Sequence, residues 1–165
     1  MKFYLVDKIE SLQPGKQIVT IKNVTLAEEY LADHFPTFPV LPGVLMLEAL
    51  VQSAAWLTRV KQDFSKSIVV LAAARNVRYA SFVQPGKTLR CQVEAMEIGD
   101  DSAKFKASAT VEDRQAVTAR LELRCYNLAD KSKGLATSDR DIIRQLRDRF
   151  KLVGGPEALA ASQQG

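Results

Sequence analysis

His34 is the only histidine of this 165-residue chain, and Glu48 is the sole charged residue between Phe35 and Thr58, although 25% of all residues are charged. Burying an ionisable group costs several kcal/mol unless it is paired or neutralised. A lone carboxyl kept in an apolar segment beside the sole imidazole therefore reads as an acid–base pair. Neutral imidazole accepts a proton near pH 7. Apolar neighbours are expected to lift Glu48 above the ordinary carboxylate value of about 4.3, which keeps a proton available. Between the two stands Pro42-Gly43, a helix start, where unpaired N–H groups and the helix dipole favour developing negative charge. Glycine also lets a substrate approach the backbone closely. A base, an acid and an oxyanion-stabilising N–H are the parts needed to eliminate water beside a carbonyl, and a thioester, with its acidic α-protons, suits the reaction. Gln52 follows Glu48 by one turn on the same face and is placed to hold its carboxyl. Pro36, Pro39 and Pro42 stiffen the loop that carries His34. The backbone carbonyl of Val40 is a candidate acceptor for the second ring nitrogen.

These groups need elements to position them. Ile9 to Leu12 and Gln17 to Val24 flank the turn pair Pro14-Gly15 and predict a short hairpin. Thr25 and Glu28 have capping-box spacing ahead of a short helix over 26–32. Each proline in the following stretch biases its predecessor away from helix. Gly43 then opens a long helix to about Lys61, rich in Leu and Ala and almost apolar all round. A helix without a polar face must be enclosed on every side, which predicts a helix wrapped by a curved sheet. Ile68 to Ala74 and Val77 to Phe82 read as strands running toward the turn Pro85-Gly86. Thr88 to Ile98, Ala103 to Glu112 and Ala116 to Tyr126 follow, joined by short turns that make the back half an antiparallel meander. The fold class is α+β, with sheet edges available to a second subunit. Residues 1–129 form the predicted domain. Residues 130–165 read as a polar linker, a helix capped by Ser138 or Asp139, and a tail frayed from Glu157. On that helix Ile142, Ile143, Leu146, Phe150 and Val153 share one stripe, suited to docking on the domain's own surface. Gly154-Gly155-Pro156 is expected to end it.

Composition narrows the function. With 47% hydrophobic residues and mean hydropathy of −0.09, the chain reads as a soluble globular protein. No apolar run reaches the roughly 18 residues of a membrane span, and Met1 to Asp7 meets charge too early for a signal peptide. Cys91 and Cys125 lack metal or redox spacing and read as free buried thiols. A cytoplasmic protein is expected. The net charge of +4 favours an acidic partner. Its basic residues are scattered among acids, so nucleic acid is not the expected partner.

The run His34-Phe-Pro-x-x-Pro-x-x-Pro-Gly-Val-Leu-x-x-Glu48-Ala resembles the active-site motif of the 3-hydroxyacyl-[acyl-carrier-protein] dehydratases, the FabZ/FabA group of the hot-dog fold. Arg75-Asn-Val-Arg-Tyr-Ala-Ser-Phe-Val-Gln-Pro85-Gly86-Lys-Thr-Leu is similar to the strand and turn that follow the helix in that family. The resemblance covers about residues 1–127. It implies a homodimer with joined sheets and shared sites, possible also as a trimer of dimers. His34 would be the base, Glu48 of the partner subunit the acid, Gly43 the oxyanion N–H donor, and Val40 would orient His34. It implies a substrate on the phosphopantetheine arm of acyl carrier protein, with no metal or redox cofactor. A Glu acid resembles the FabZ branch, which dehydrates only; the isomerising FabA branch usually has Asp there. FabZ proteins usually carry an Arg-Arg pair where this chain has Ala80-Ser81, and the tail after Asn127 is extra. The rival readings are a hot-dog acyl thioesterase and a non-catalytic acyl-binding or scaffold subunit.

Overall fold

The computed structural model describes residues 3–35 and 37–163. Six strands form one sheet: β1 (Lys8–Gln13), β2 (Gln17–Asn23), β3 (Ile68–Tyr79), β4 (Thr88–Ile98), β5 (Ser102–Val111) and β6 (Arg114–Tyr126). Their spatial order is β1-β2-β4-β5-β6-β3, with every neighbouring pair antiparallel. The β5–β6 hairpin turns on Glu112 and Asp113, both with positive φ, the geometry that matches the right-handed twist of two strands. Side chains alternate across the pleat. In β5 the inward set is Ala103, Phe105, Ala107, Ala109 and Val111. Three alanines in that row leave a shallow bed for a helix.

That helix is α2, Gly43–Lys61, which touches β2, β3, β4, β5 and β6. It brings its own small residues, Ala49, Ala54 and Ala55, into the core. Its buried hydroxyls are satisfied: Ser53 bonds the Ala49 carbonyl and meets Thr20 Oγ1 at 2.7 Å, and Thr58 donates to the Ala54 carbonyl. The sheet covers only one side of α2. On the other side α3, Ala136–Leu152, covers the end of the helix near Trp56, with its Phe150 ring 5.7 Å from Trp56 and 5.6 Å from Phe64. The C-terminal half of the central helix is therefore enclosed by sheet and C-terminal extension together, not by the sheet alone.

Four local readings differ from the structure. The first helix, α1, is only Tyr30–Asp33, with no capping side chain. The Glu28 carboxylate instead takes a 2.7 Å bond from Lys22, a buried ammonium that also pairs with Asp7. A buried charge claims the acid that would have served the cap. Strand β3 runs unbroken from Ile68 to Tyr79, because Asn76 with φ of 54° absorbs a register shift between Arg75 and Arg78. Residues 80–82 lie outside it. Asp139 is not a cap of α3. It is buried and accepts hydrogen bonds from Ser67 Oγ and from the N–H groups of Leu128 and Ala129, tying α3 and the 3-10 turn Leu128–Asp130 to the domain; a second 3-10 turn, Lys133–Leu135, leads into α3. Finally, Gly154 ends α3 in the left-handed conformation, but Gly155–Ser162 forms a further helix, α4, where fraying was expected. Gly155 leaves no room for a side chain against Phe150, so α4 packs tightly and docks beside β1, with Ile9 N–H donating to the Val153 carbonyl at 2.7 Å. Cys91 and Cys125 are free and buried, as expected.

Candidate active site

His34 follows α1 directly, in extended conformation. Leu31, buried, moors one side of its loop. Phe35 takes a positive φ of 51° and closes a turn by accepting from Phe38 N–H. On the other side Val40 and Leu41 are buried, and Leu41 N–H donates to the Val83 carbonyl at 2.8 Å. The imidazole is half-buried and meets the Phe35 ring edge-on, with centroids 4.5 Å apart. Among the described residues the His34 ring makes no hydrogen bond to Val40 O; the nearby Pro36 lies outside them. Pro39 and Pro42 lead into α2.

Glu48 lies in the second turn of α2 and is half-buried. Gln52 Nε2 donates to Glu48 Oε1 at 3.0 Å, as the spacing predicted. The same amide donates to the Phe3 carbonyl at 3.0 Å, while Gln52 Oε1 accepts from Leu5 N–H at 2.9 Å. A backbone carbonyl can only accept and an N–H only donate, so this amide has one permitted orientation and turns its N–H toward Glu48. The carboxyl forms no ion pair among the described residues. An arginine partner, the structural explanation for an acid in an apolar helix, is thus missing from that set.

Pro42 precedes α2, no side chain caps the helix, and no acid lies in its first turn. Its first N–H groups keep their partial positive charge for whatever binds there. A side chain at Gly43 would come within 3.1 Å of the Tyr79 ring, so glycine here sets the close approach of β3 to the helix start. Sequence reasoning missed Tyr79, an aromatic that β-strand alternation alone would assign to a sheet face. The surroundings are open and apolar: Phe35, Phe38, Val44 and Phe82 are exposed, with Val44 at 69%, and Phe38 and Phe82 stack edge-to-face at 5.8 Å.

Residues 1–120 match the family model described as a FabA-like domain. The chain belongs to the FabA-like family. Relatives include the 3-hydroxyacyl-[acyl-carrier-protein] dehydratase FabZ of Ralstonia nicotianae, 40% identical over 133 residues, covering 79% of this chain and 80% of that protein. The FabZ of Lactobacillus helveticus is 38% identical over 116 residues, covering 70% of this chain and 78% of its own. Among solved structures, the dehydratase heterocomplex ApeI:P from Xenorhabdus doucetiae aligns with a TM-score of 0.64 at 17% identity, over 81% of this chain and 90% of that one. The Escherichia coli PaaI protein aligns at 0.55 and 12% identity, over 73% and 79%. At such identities these two speak for the fold alone, which is the hot-dog fold.

The FabA-like match stops at residue 120, before the helices that cover Trp56. No helix among the described residues is long and apolar enough to cross a membrane. No group of metal-ligating side chains occurs among them either.

Proposed function

We propose that this protein is a cytoplasmic 3-hydroxyacyl-[acyl-carrier-protein] dehydratase, converting (3R)-3-hydroxyacyl thioesters to trans-2-enoyl thioesters in fatty-acid-type biosynthesis. Residues 1–129 are its catalytic domain and residues 130–165 a cover. The reading rests above all on the Glu48 carboxyl, held by the neutral Gln52 amide and, among the described residues, by no cation, at the open end of α2. His34 takes the α-proton. The electrons of that C–H bond form the new double bond, and the thioester oxygen draws on the Gly43 N–H as enolate character develops. The β C–O bond breaks, and the departing hydroxyl takes the Glu48 proton and leaves as water. A proton returns from His34 to Glu48 through solvent, which completes the cycle. Acid–base groups suffice, and the phosphopantetheine arm belongs to the substrate's carrier.

The acid and base come from opposite protomers of a homodimer. Support lies in β3, which ends the sheet with one side unpaired and carries exposed Val70 and Leu71. A long apolar edge of this kind invites a second strand. Pairing two copies there would join the sheets and close the apolar opening around Val44 and Phe82. For the acidic carrier, Ala80-Ser81 offers no charge, but Arg78, Lys106 and Arg120 line one groove on the outer face of β3, β5 and β6.

Incubation with a carrier-linked 3-hydroxyacyl substrate, followed by mass spectrometry of the intact carrier, tests the function. Loss of water from the acyl group is expected. Release of free thiol would make the protein a thioesterase, and tight binding without turnover would make it a scaffold. Either result would sink the proposal.

A further inference from the structure

A second feature lies two turns further along α2. Between that helix, the N-terminal residues Phe3 to Val6 and α3 is a cavity of about 270 Å³, distinct in lining from the His34 loop and the Gly43 helix start. Its apolar wall is Trp56, Ile142 and Leu146, and its charged groups are Arg59 and Arg149. No acidic residue among the described ones lines it.

Arg59 is the anomaly. Its Nε is shut away from solvent and has no hydrogen-bond partner among the described residues. Neither Arg59 nor Arg149 forms an ion pair among the described residues. Both are instead laid on aromatic faces, Arg59 at 5.4 Å from the Trp56 ring and Arg149 at 3.7 Å from the Tyr4 ring. Burial lowers the Arg59 pKa to about 10, so it stays charged at neutral pH. Two cations thus converge on one hollow without a counter-charge among the described residues, and an unpaired buried cation is costly to keep. Guanidinium presents a planar fork that fits a carboxylate. The cavity is smaller than the roughly 300–1,000 Å³ of drug-sized sites, which sets a small occupant. An inorganic anion would leave the Trp56–Leu146 wall unfilled.

We propose that this cavity binds a medium-chain fatty carboxylate, its head between Arg59 and Arg149 and its chain against Trp56, Ile142 and Leu146. Gln52 also lines the cavity, and it is the residue that holds Glu48. A bound acid would press on the amide that orients the candidate catalytic carboxyl, a consequence that rests on the function proposed above; the binding itself does not.

Trp56 is the only tryptophan, so its fluorescence reports directly on the cavity. Titrating the full-length protein with octanoate should give a saturable change, confirmed by calorimetry. Arg149→Gln, near the surface and safe for folding, should weaken binding at least tenfold, as should Arg59→Gln. Arg144→Gln, an exposed change on the same helix, should not. Octanamide and inorganic phosphate should each bind at least tenfold more weakly than octanoate. Binding should survive His34→Ala, which separates this cavity from the active site. The proposal is overturned by no saturable signal, by binding indifferent to Arg149 and Arg59, by an equal loss in Arg144→Gln, by octanamide or phosphate binding as tightly, or by loss of binding in His34→Ala.

Discussion

The two halves of α2 differ more than their sequences suggest. From Ala49 to Thr58 nearly every side chain is buried, under the sheet on one side and, around Trp56, beneath Phe150 on the other. From Gly43 to Glu48 only Met46 is buried, and Val44 stands exposed although it is as apolar as anything in the core. One half is finished within a single chain. The other half is left open, and it is the half that carries Gly43 and Glu48. On the function proposed above, the hydrophobic surface left uncovered around Gly43 and Glu48 is where the second protomer would seat.

The sharpest way to test this difference is to ask whether the open half works alone. His34→Ala and Glu48→Gln should each lower turnover by about 10²–10⁴, the scale of a lost general base or acid. Mixed and reassembled in equal amounts, the two inactive variants should regain about a quarter of wild-type activity. Half the dimers would then be mixed, and each would hold one intact site assembled from both chains. No recovery after verified exchange of subunits would place both groups of a site on one chain.

Breaking the edge should have nearly the same effect. Leu71→Arg puts charge on the exposed apolar run of β3, at a position outside the core. Sedimentation should show a folded monomer, with activity lower by about 10²–10⁴ because each base loses its acid. A fully active monomer would refute the shared site. The sealed half behaves differently. Phe150→Ala should cost about 3–5 kcal/mol in denaturant unfolding, because that ring bridges Trp56 and Phe64, with no change in association.

The same contrast governs what the sequence revealed. The bounds of α2 were legible because Pro42-Gly43 and the change at Asp63 punctuate an apolar run. The strands were legible from alternation and turns. His34 and Glu48 stood out by contrast with their surroundings, and Gln52 by helical spacing. Capture of Glu28 by Lys22 was not legible, since it depends on a buried charge brought in from another strand. Continuity of β3 was hidden by Asn76, whose left-handed φ mimics a break. Helix α4 was hidden because Gly154-Gly155-Pro156 signals a stop and, with proline at a helix start, a new beginning as well. Arg59 drew no notice because its burial comes from a helix much later in the chain.

That later helix is held by Asp139, and the smallest predicted effect lies there. Burial alone would push the Asp139 carboxyl up, but bonds from the Ser67 hydroxyl and from the N–H groups of Ala129 and Leu128 outweigh it and hold it below the usual carboxylate range. A carboxyl depressed in the folded state contributes stability above its unfolded pKa of about 3.9, and that contribution is lost as pH falls through the lower folded value. Asp139→Asn replaces an acceptor-only group with one whose NH₂ faces other donors, so one bond must be lost at neutral pH. Its Tm should be a few degrees lower than wild type at pH 7, and the gap should narrow as pH falls from about 4, where the unfolded chain's carboxyl takes up a proton, through the lower folded value. Equal Tm at neutral pH would mean that α3 is held by Phe150 and its neighbours alone. Activity should stay close to wild type, because Asp139 supports the cover of the sealed half and touches nothing at the open end.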